Sequence, residues 1–188
     1  MQQRKHLGKC FAGSLALVAA FGLQPVQGIQ VADGTVYFAQ VPQLVGAVTT
    51  SKAVGALAPT YRFTISLPAD AGVPMQRVTL VQTEGVGTIR FNLPQTAAYV
   101  AKNRRLLLPL GNVSQDAQTR AINVSFEPAI APGTTVTIAL RPIRNPQVGG
   151  TYLFGVTAYP QGEKAHGQFL GYGRLQFYQQ GFLFSPLF

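Results

Sequence analysis

The chain has 188 residues, 47% of them hydrophobic, with 15 basic against 6 acidic side chains and a formal charge of +9. Its one cysteine, Cys10, stands near the start, so disulfides, thiolate nucleophiles and cysteine-based metal sites are excluded from everything beyond it.

The first stretch reads as a targeting segment. Arg4, Lys5 and Lys9 precede the uncharged apolar run Phe11–Leu23, which Gln24-Pro25 ends. Val26-Gln27-Gly28 then offers small residues where signal peptidase inspects a chain. At about 1.5 Å per residue this run reaches roughly 20 Å, short of a hydrocarbon core of about 30 Å, so a signal peptide is expected rather than an anchor. Cys10 precedes the apolar run and is misplaced for a lipoprotein acyl site. Cleavage after Gly28 leaves 29–188 as one domain, long enough to bury a core without covalent staples. The leader removes three basic residues, leaving twelve against six, a charge of +6. Inside a cell that balance would suggest nucleic acid; export argues against it. A soluble basic surface, or attraction to an anionic cell-wall polymer or lipid surface, remains.

Beyond the leader, Asp33-Gly34 turns into a short strand at Thr35–Gln40, and Leu44–Thr50 is a second candidate. Thr60–Leu67 alternates cleanly, Tyr61, Phe63, Ile65 and Leu67 against Thr60, Arg62, Thr64 and Ser66. After the break at 68–72, Val78 and Leu80 mark another strand, Glu84-Gly-Val-Gly87 is a turn, and Ile89, Phe91 and Leu93 alternate again. Gln95–Asn103 is the one candidate helix, opened by Pro94, with a loop as the alternative. Leu106–Val113 and Ala121–Glu127 read as a hairpin, with Ile122, Val124 and Phe126 on one face. Ala131-Pro-Gly133 suits a type II turn into Thr134–Arg141, where Val136, Ile138 and Leu140 alternate with polar or small residues.

Gly149–Tyr178 reads as a strand (Thr151–Ala158), a long glycine-punctuated connection and a second strand around Leu175 and Phe177. Ten of the nineteen Phe and Tyr residues fall between Gly150 and Phe188, so this end should supply much of the core. About nine short strands separated by turn residues predict an all-β fold: a single antiparallel β-sandwich, immunoglobulin-like, with a long glycine-rich C-terminal connection and at most one short helix.

The run Pro132-Gly-Thr-Thr-Val-Thr-Ile-Ala-Leu-Arg-Pro-Ile-Arg-Asn-Pro146, then Gly149–Pro160 and Gly162-Glu-Lys-Ala-His-Gly167, resembles an exported, mostly cyanobacterial family, domain of unknown function 2808. Ile29–Phe38 is similar to that family's opening. The resemblance implies export and a single β domain, and supplies no activity, ligand or catalytic residues.

Catalytic candidates are few. His166 is the only histidine beyond the first ten residues, no serine sits in a nucleophile elbow, and the six acids are scattered singly. One histidine is no metal cluster. No enzyme activity, cofactor or metal is therefore expected. Binding offers two candidate surfaces. Arg62, Arg77, Arg90 and Arg141 each lie near threonines on polar strand faces and, if those strands share a sheet, form a basic ladder for an anionic glycan; solubility is the plainer explanation. Tyr159, Phe169 and Tyr172 offer rings for sugars at one end of the sandwich, beside the loop carrying Glu163, Lys164 and His166, and packing over the core is the alternative. The expected partner is a cell-wall glycan or an envelope protein, the location periplasmic or extracellular, with no transmembrane span after cleavage. The apolar tail Gly181–Phe188 faintly echoes a barrel-closing strand, but Pro186 and Phe182-Leu-Phe184 spoil the alternation; docking on the domain or a partner fits better.

Overall fold

The structure, a computed structural model, describes residues 29–30 and 32–179. The leader Arg4–Gly28 and the tail Gly181–Phe188 lie outside the described residues. The strands, in chain order, are β1 (Ile29–Gln30), β2 (Thr35–Tyr37), β3 (Gln43–Thr49), β4 (Tyr61–Ser66), β5 (Met75–Glu84), β6 (Ala97–Val100) and β7 (Asn103–Leu108). They continue with β8 (Leu110–Gln115), β9 (Ile122–Ile130), β10 (Thr135–Leu140), β11 (Gly150–Pro160), β12 (Lys164–Ala165) and β13 (Gln168–Phe177).

Alternating side chains divide these strands between two sheets. The first sheet runs β3-β4-β10-β6-β7 and the second β13-β11-β5-β9-β8, with every neighbour antiparallel. Tyr61, Phe63, Ile65, Val136 and Ile138 from the first sheet and Val78, Leu80, Val124, Phe126, Phe154 and Val156 from the second are buried between them. Rings meet edge to face at the centre: Phe154 lies 5.4 Å from Phe63 and 6.2 Å from Tyr61, the arrangement that ring quadrupoles favour. The predicted sandwich is therefore the observed one.

Four local expectations need correction. Gln95–Asn103 is not a helix: a 3-10 turn at Leu93–Gln95 holds Pro94, and Ala97–Val100 becomes β6. Its residues fill the slot between β10 and β7, where Ala98 and Tyr99 are buried, so tertiary pairing overrides four residues of weak local preference. Leu106–Val113 is not one strand. Leu106–Leu108 finishes β7 in the first sheet, and after Pro109, which has no N–H for a ladder, Leu110 begins β8 in the second. The long glycine-rich connection is mostly strand, because β13 already starts at Gln168. Ile89 is buried and Phe91 partly so, but both sit in a loop whose only pairing is the bridge from Phe91 to Pro142.

The glycines inside β13 explain why that strand was hard to see. Gly171 sits at a bulge with φ 113°, and a Cβ on Gly173 would stand 2.7 Å from Phe63 Cε1 and 2.9 Å from Ala47 Cβ. Gly173 lets the β13 edge close against β3 of the facing sheet, a glycine retained for close approach rather than for a turn.

One end of the sandwich is built by loops 50–60, 84–92 and 141–149. Asn145, buried at 2% exposure, ties it together: its Oδ1 accepts from the Tyr61 hydroxyl at 2.8 Å, and its Nδ2 donates to the carbonyls of Ser51 and Ala53. At the opposite end the ribbon of β1, β2 and β12 lies beside loop 161–167, with β12 parallel to β2.

Candidate binding face and its neighbours

The loop with the only histidine of the described chain is occupied by its own N-terminal ribbon. The His166 ring stacks on Tyr37 with centroids 4.6 Å apart, and its backbone N–H donates to Val36 at 3.0 Å. Lys164 Nζ donates to the Asp33 carbonyl at 2.9 Å. A Cβ on Gly162 would come within 2.7 Å of Val36, so ribbon and loop are in close contact. Lys164 and His166 thus fasten β2 to the loop. Glu163 instead lines a cavity of 290 Å³ with Arg77, Ser125, Tyr159 and Gly162.

Arg77 is the unusual group there. Its guanidinium carbon sits 4.0 Å from the centre of the Tyr159 ring, a cation–π contact, while its Nε is buried with no hydrogen-bond partner among the described residues. Buried donors are normally paired, and this nitrogen is an exception among the described residues.

Arg77 and Tyr159 belong to a larger surface, the outer face of the second sheet. With Phe154, Val156 and Ala158 pointing inward, Gly155, Thr157 and Tyr159 point outward. Register sets Tyr172 beside Gly155, Phe169 beside Thr157, and Arg77 beside Tyr159. The bulge between Val156 and Thr157 is what turns both rings outward, since without the extra residue Phe169 and Tyr172, an odd number of positions apart, would face opposite ways. The two rings meet edge to face at 5.2 Å and are 49% and 56% exposed. A Cβ on Gly155 would stand 3.5 Å from Phe169 and 3.8 Å from Tyr172, so the missing side chain makes the floor on which the rings rest. Thr79, which bonds Asn123 at 2.7 Å, and Ser125 continue the face with hydroxyls.

The arginine ladder does not form. Arg62 is on β4 and Arg141 follows β10, both in the first sheet; Arg77 is on β5 in the second; Arg90 sits in a loop, its carbonyl accepting from Ile143 N–H. The chain crosses between sheets after β4, so successive strands with similar polar faces point away from each other. The threonines near Arg62 are partly used up internally, Thr64 bonding Thr137 at 2.9 Å. Tyr159, Phe169 and Tyr172, by contrast, share a face of one sheet rather than the loops at one end. Arg77's orphan nitrogen had no signal in the sequence. The glycines at 155 and 171 did carry one, since glycine within a strand points to a bulge or a close approach.

The family description "Protein of unknown function (DUF2808)" matches residues 35–177. The chain belongs to the DUF2808 family. No curated relative matches it. Among solved structures, this DUF2808 domain is similar to the collagen-binding subdomain of the Enterococcus faecalis surface protein ACE, at 9% identity and a TM-score of 0.43 over 75% of this chain and 95% of that one. It is also similar to the collagen-binding domain of a Staphylococcus aureus adhesin, at 9% identity and 0.37 over 65% and 89%. A third is BslA, a bacterial hydrophobin, at 12% and 0.39 over 74% and 97%. At such identities the likeness concerns the sandwich fold alone. No helix among the described residues is long and apolar enough to cross a membrane.

Proposed function

We propose that this DUF2808 domain is an exported, non-enzymatic binding protein of the cell envelope, whose ligand is a glycan laid across the outer face of the second sheet. The observation that carries the reading is the Phe169–Tyr172 pair, two exposed rings resting on Gly155. Rings kept for stability go inward, as Tyr152 and Phe154 do on the adjoining strand. Rings held outward on a flat face, with hydroxyls beside them, suit the apolar faces of sugar rings. Arg77 adds a preference: its guanidinium, held over the Tyr159 ring, suits a carboxylate-bearing sugar, because a guanidinium matches a carboxylate in shape and charge. Export rests on the leader pattern at Arg4–Gly28.

The test is retention of the mature chain on purified cell-wall fractions at low and high salt. Stacking predicts that most retention survives salt, whereas attraction between exposed charges is screened beyond about 8 Å at physiological ionic strength. Phe169→Ala with Tyr172→Ala should abolish retention and leave stability nearly unchanged, since exposed substitutions usually cost within about 0.5 kcal/mol. Arg77→Gln should weaken retention on acidic glycans and spare neutral ones. Changing Arg62, Arg90 and Arg141 together to Ser should do little; loss of retention in that variant alone would transfer the site to general charge. No retention at either salt concentration would sink the glycan reading and leave assembly with an envelope protein.

A further inference from the structure

β7 is the outermost strand of the first sheet, hydrogen-bonded on one side to β6. Residues 103–107 are all exposed, as is Lys102 before them, and Leu106 and Leu107 are 53% and 65% exposed. The register explains why. Val100 stands opposite Asn103 and Tyr99 opposite Leu107, so Arg104, Arg105 and Leu106 have no partner on β6 and bulge away from the sheet. The Asn103 side chain closes the bulge, its Oδ1 accepting from the Arg105 N–H at 3.1 Å. Leu108 then turns toward the core, opposite the buried Ala98.

Three cations and two large aliphatic side chains thus share one exposed hairpin. Positive charge alone would serve to keep a free sheet edge from pairing, but adjacent exposed leucines work against that purpose. No acid offsets the charge within the hairpin. The Asp116 Oδ1 is taken by Gln118 and Thr119 in the β8–β9 turn. Glu127 lies over Gly111 in the second sheet, and Asp70 follows β4, which β10 and β6 separate from β7.

We propose that the β6–β7 hairpin docks the domain on an anionic phospholipid surface. Leu106 and Leu107 enter the boundary between headgroups and acyl chains, and Lys102, Arg104 and Arg105 meet the phosphates around them, their aliphatic stems following the leucines inward. The charge selects an anionic occupant, and the leucines select among anionic occupants. A hydrated polyanion has no use for aliphatic side chains. A glycan would be met by rings, and the hairpin's only ring, Tyr99, is 8% exposed. A second copy joined through the same edge would bring like charges together. Each cation near such a surface strengthens attachment about fivefold, and the three together on the order of a hundredfold. This surface is separate from the glycan face: the hairpin is an edge of the first sheet, and Phe169 and Tyr172 are on the second.

The experiment uses residues 29–188, which contain every strand of both sheets, in flotation with vesicles of phosphatidylcholine alone and of phosphatidylcholine mixed with phosphatidylglycerol. The parent should float with the mixed vesicles only, and less as salt rises. Lys102→Ser with Arg104→Ser and Arg105→Ser should lower attachment about a hundredfold. Leu106→Ser with Leu107→Ser should lower it about tenfold or more with every charge retained. Phe169→Ala with Tyr172→Ala should leave flotation unchanged. The chain has no tryptophan, so Leu106→Trp supplies a single reporter that keeps an apolar side chain in place. Its emission should shift to the blue with the mixed vesicles and be quenched by bromine-labelled acyl chains, a reading that stands even where the serine pair disturbs the fold. Equal flotation of the parent and the triple serine variant would overturn the proposal. Attachment that needs the cations but not the leucines, with an unmoved emission, would describe a contact with any polyanion and overturn it as well. So would a dimer in sedimentation, formed without vesicles and abolished by the leucine changes, which would assign the edge to a second copy.

Discussion

Phe154 stands at the centre of the ring cluster, 1% exposed, with Phe63, Tyr61 and Phe91 all edge-on to it within 6.2 Å. Phe154→Ala leaves a cavity between two packed sheets that cannot collapse freely, at a cost of about 3–5 kcal/mol. In a domain of this size each kcal/mol lowers the melting temperature by about 2–4 °C, so an unchanged melting temperature would refute the core assignment. Tyr61 makes a prediction about pH. Burial, and to a smaller extent Tyr152, raises its hydroxyl above the ordinary value of 10.0. Above pH 10 the unfolded chain surrenders this proton while the folded chain keeps it, so stability that is full below that pH is lost as the pH climbs toward the folded value. Tyr61→Phe should make the alkaline decline shallower. It should also cost about 1–3 kcal/mol at neutral pH, because Asn145 Oδ1 loses its donor in the interior. Denaturant midpoints measured from neutral to alkaline pH check both effects, and parallel curves for the two proteins would refute the first.

Strands that alternate over five or more residues were legible from their residues alone, because one face must leave water and the other must not. β4, β10 and the Ile122–Phe126 half of β9 are of this kind. β6 and the first part of β13, before Arg174, were not legible, and the reasons differ. Ala97–Val100 carries no pattern strong enough to choose a state, and its place between β10 and β7 makes the choice. β13 is interrupted by Gly171 and Gly173, which look like loop residues until their neighbours are known. Gly173→Val tests that account: its Cβ would meet Phe63 and Ala47 at under 3 Å, so the β13 and β3 edges must part. A loss of about 1–3 kcal/mol is expected, as for other overpacked core positions. Thermal unfolding reads this directly, and a variant as stable as the parent would mean the edges do not touch.

For the molecule as a whole, the basic start and short apolar run predict export and a mature chain that begins near Ile29. Mass spectrometry of the native protein should find that terminus; an intact Met1 or an acylated Cys10 would contradict it. The candidate face is also a property of the whole molecule. Phe169, Tyr172, Tyr159 and Arg77 lie on three strands from separate parts of the chain, and only their pairing in one sheet places them together. The same pairing separates Arg62 and Arg141 from Arg77, which strand patterns alone had made look like one series.

The amino-acid sequence by itself determined the all-β class and the inward positions of Tyr61, Phe63, Ile138, Phe154 and Val156, because burial follows the period of two that each strand carries within itself. It also contained the family's mark in the run from Pro132 to Gly167. Which strands share a sheet was decided only by the tertiary structure, and with it which rings are neighbours and which arginine keeps a buried nitrogen unpaired. Pairing depends on chain crossings and on close approaches such as Gly173 against Phe63, and those are relations between distant segments that no local pattern encodes.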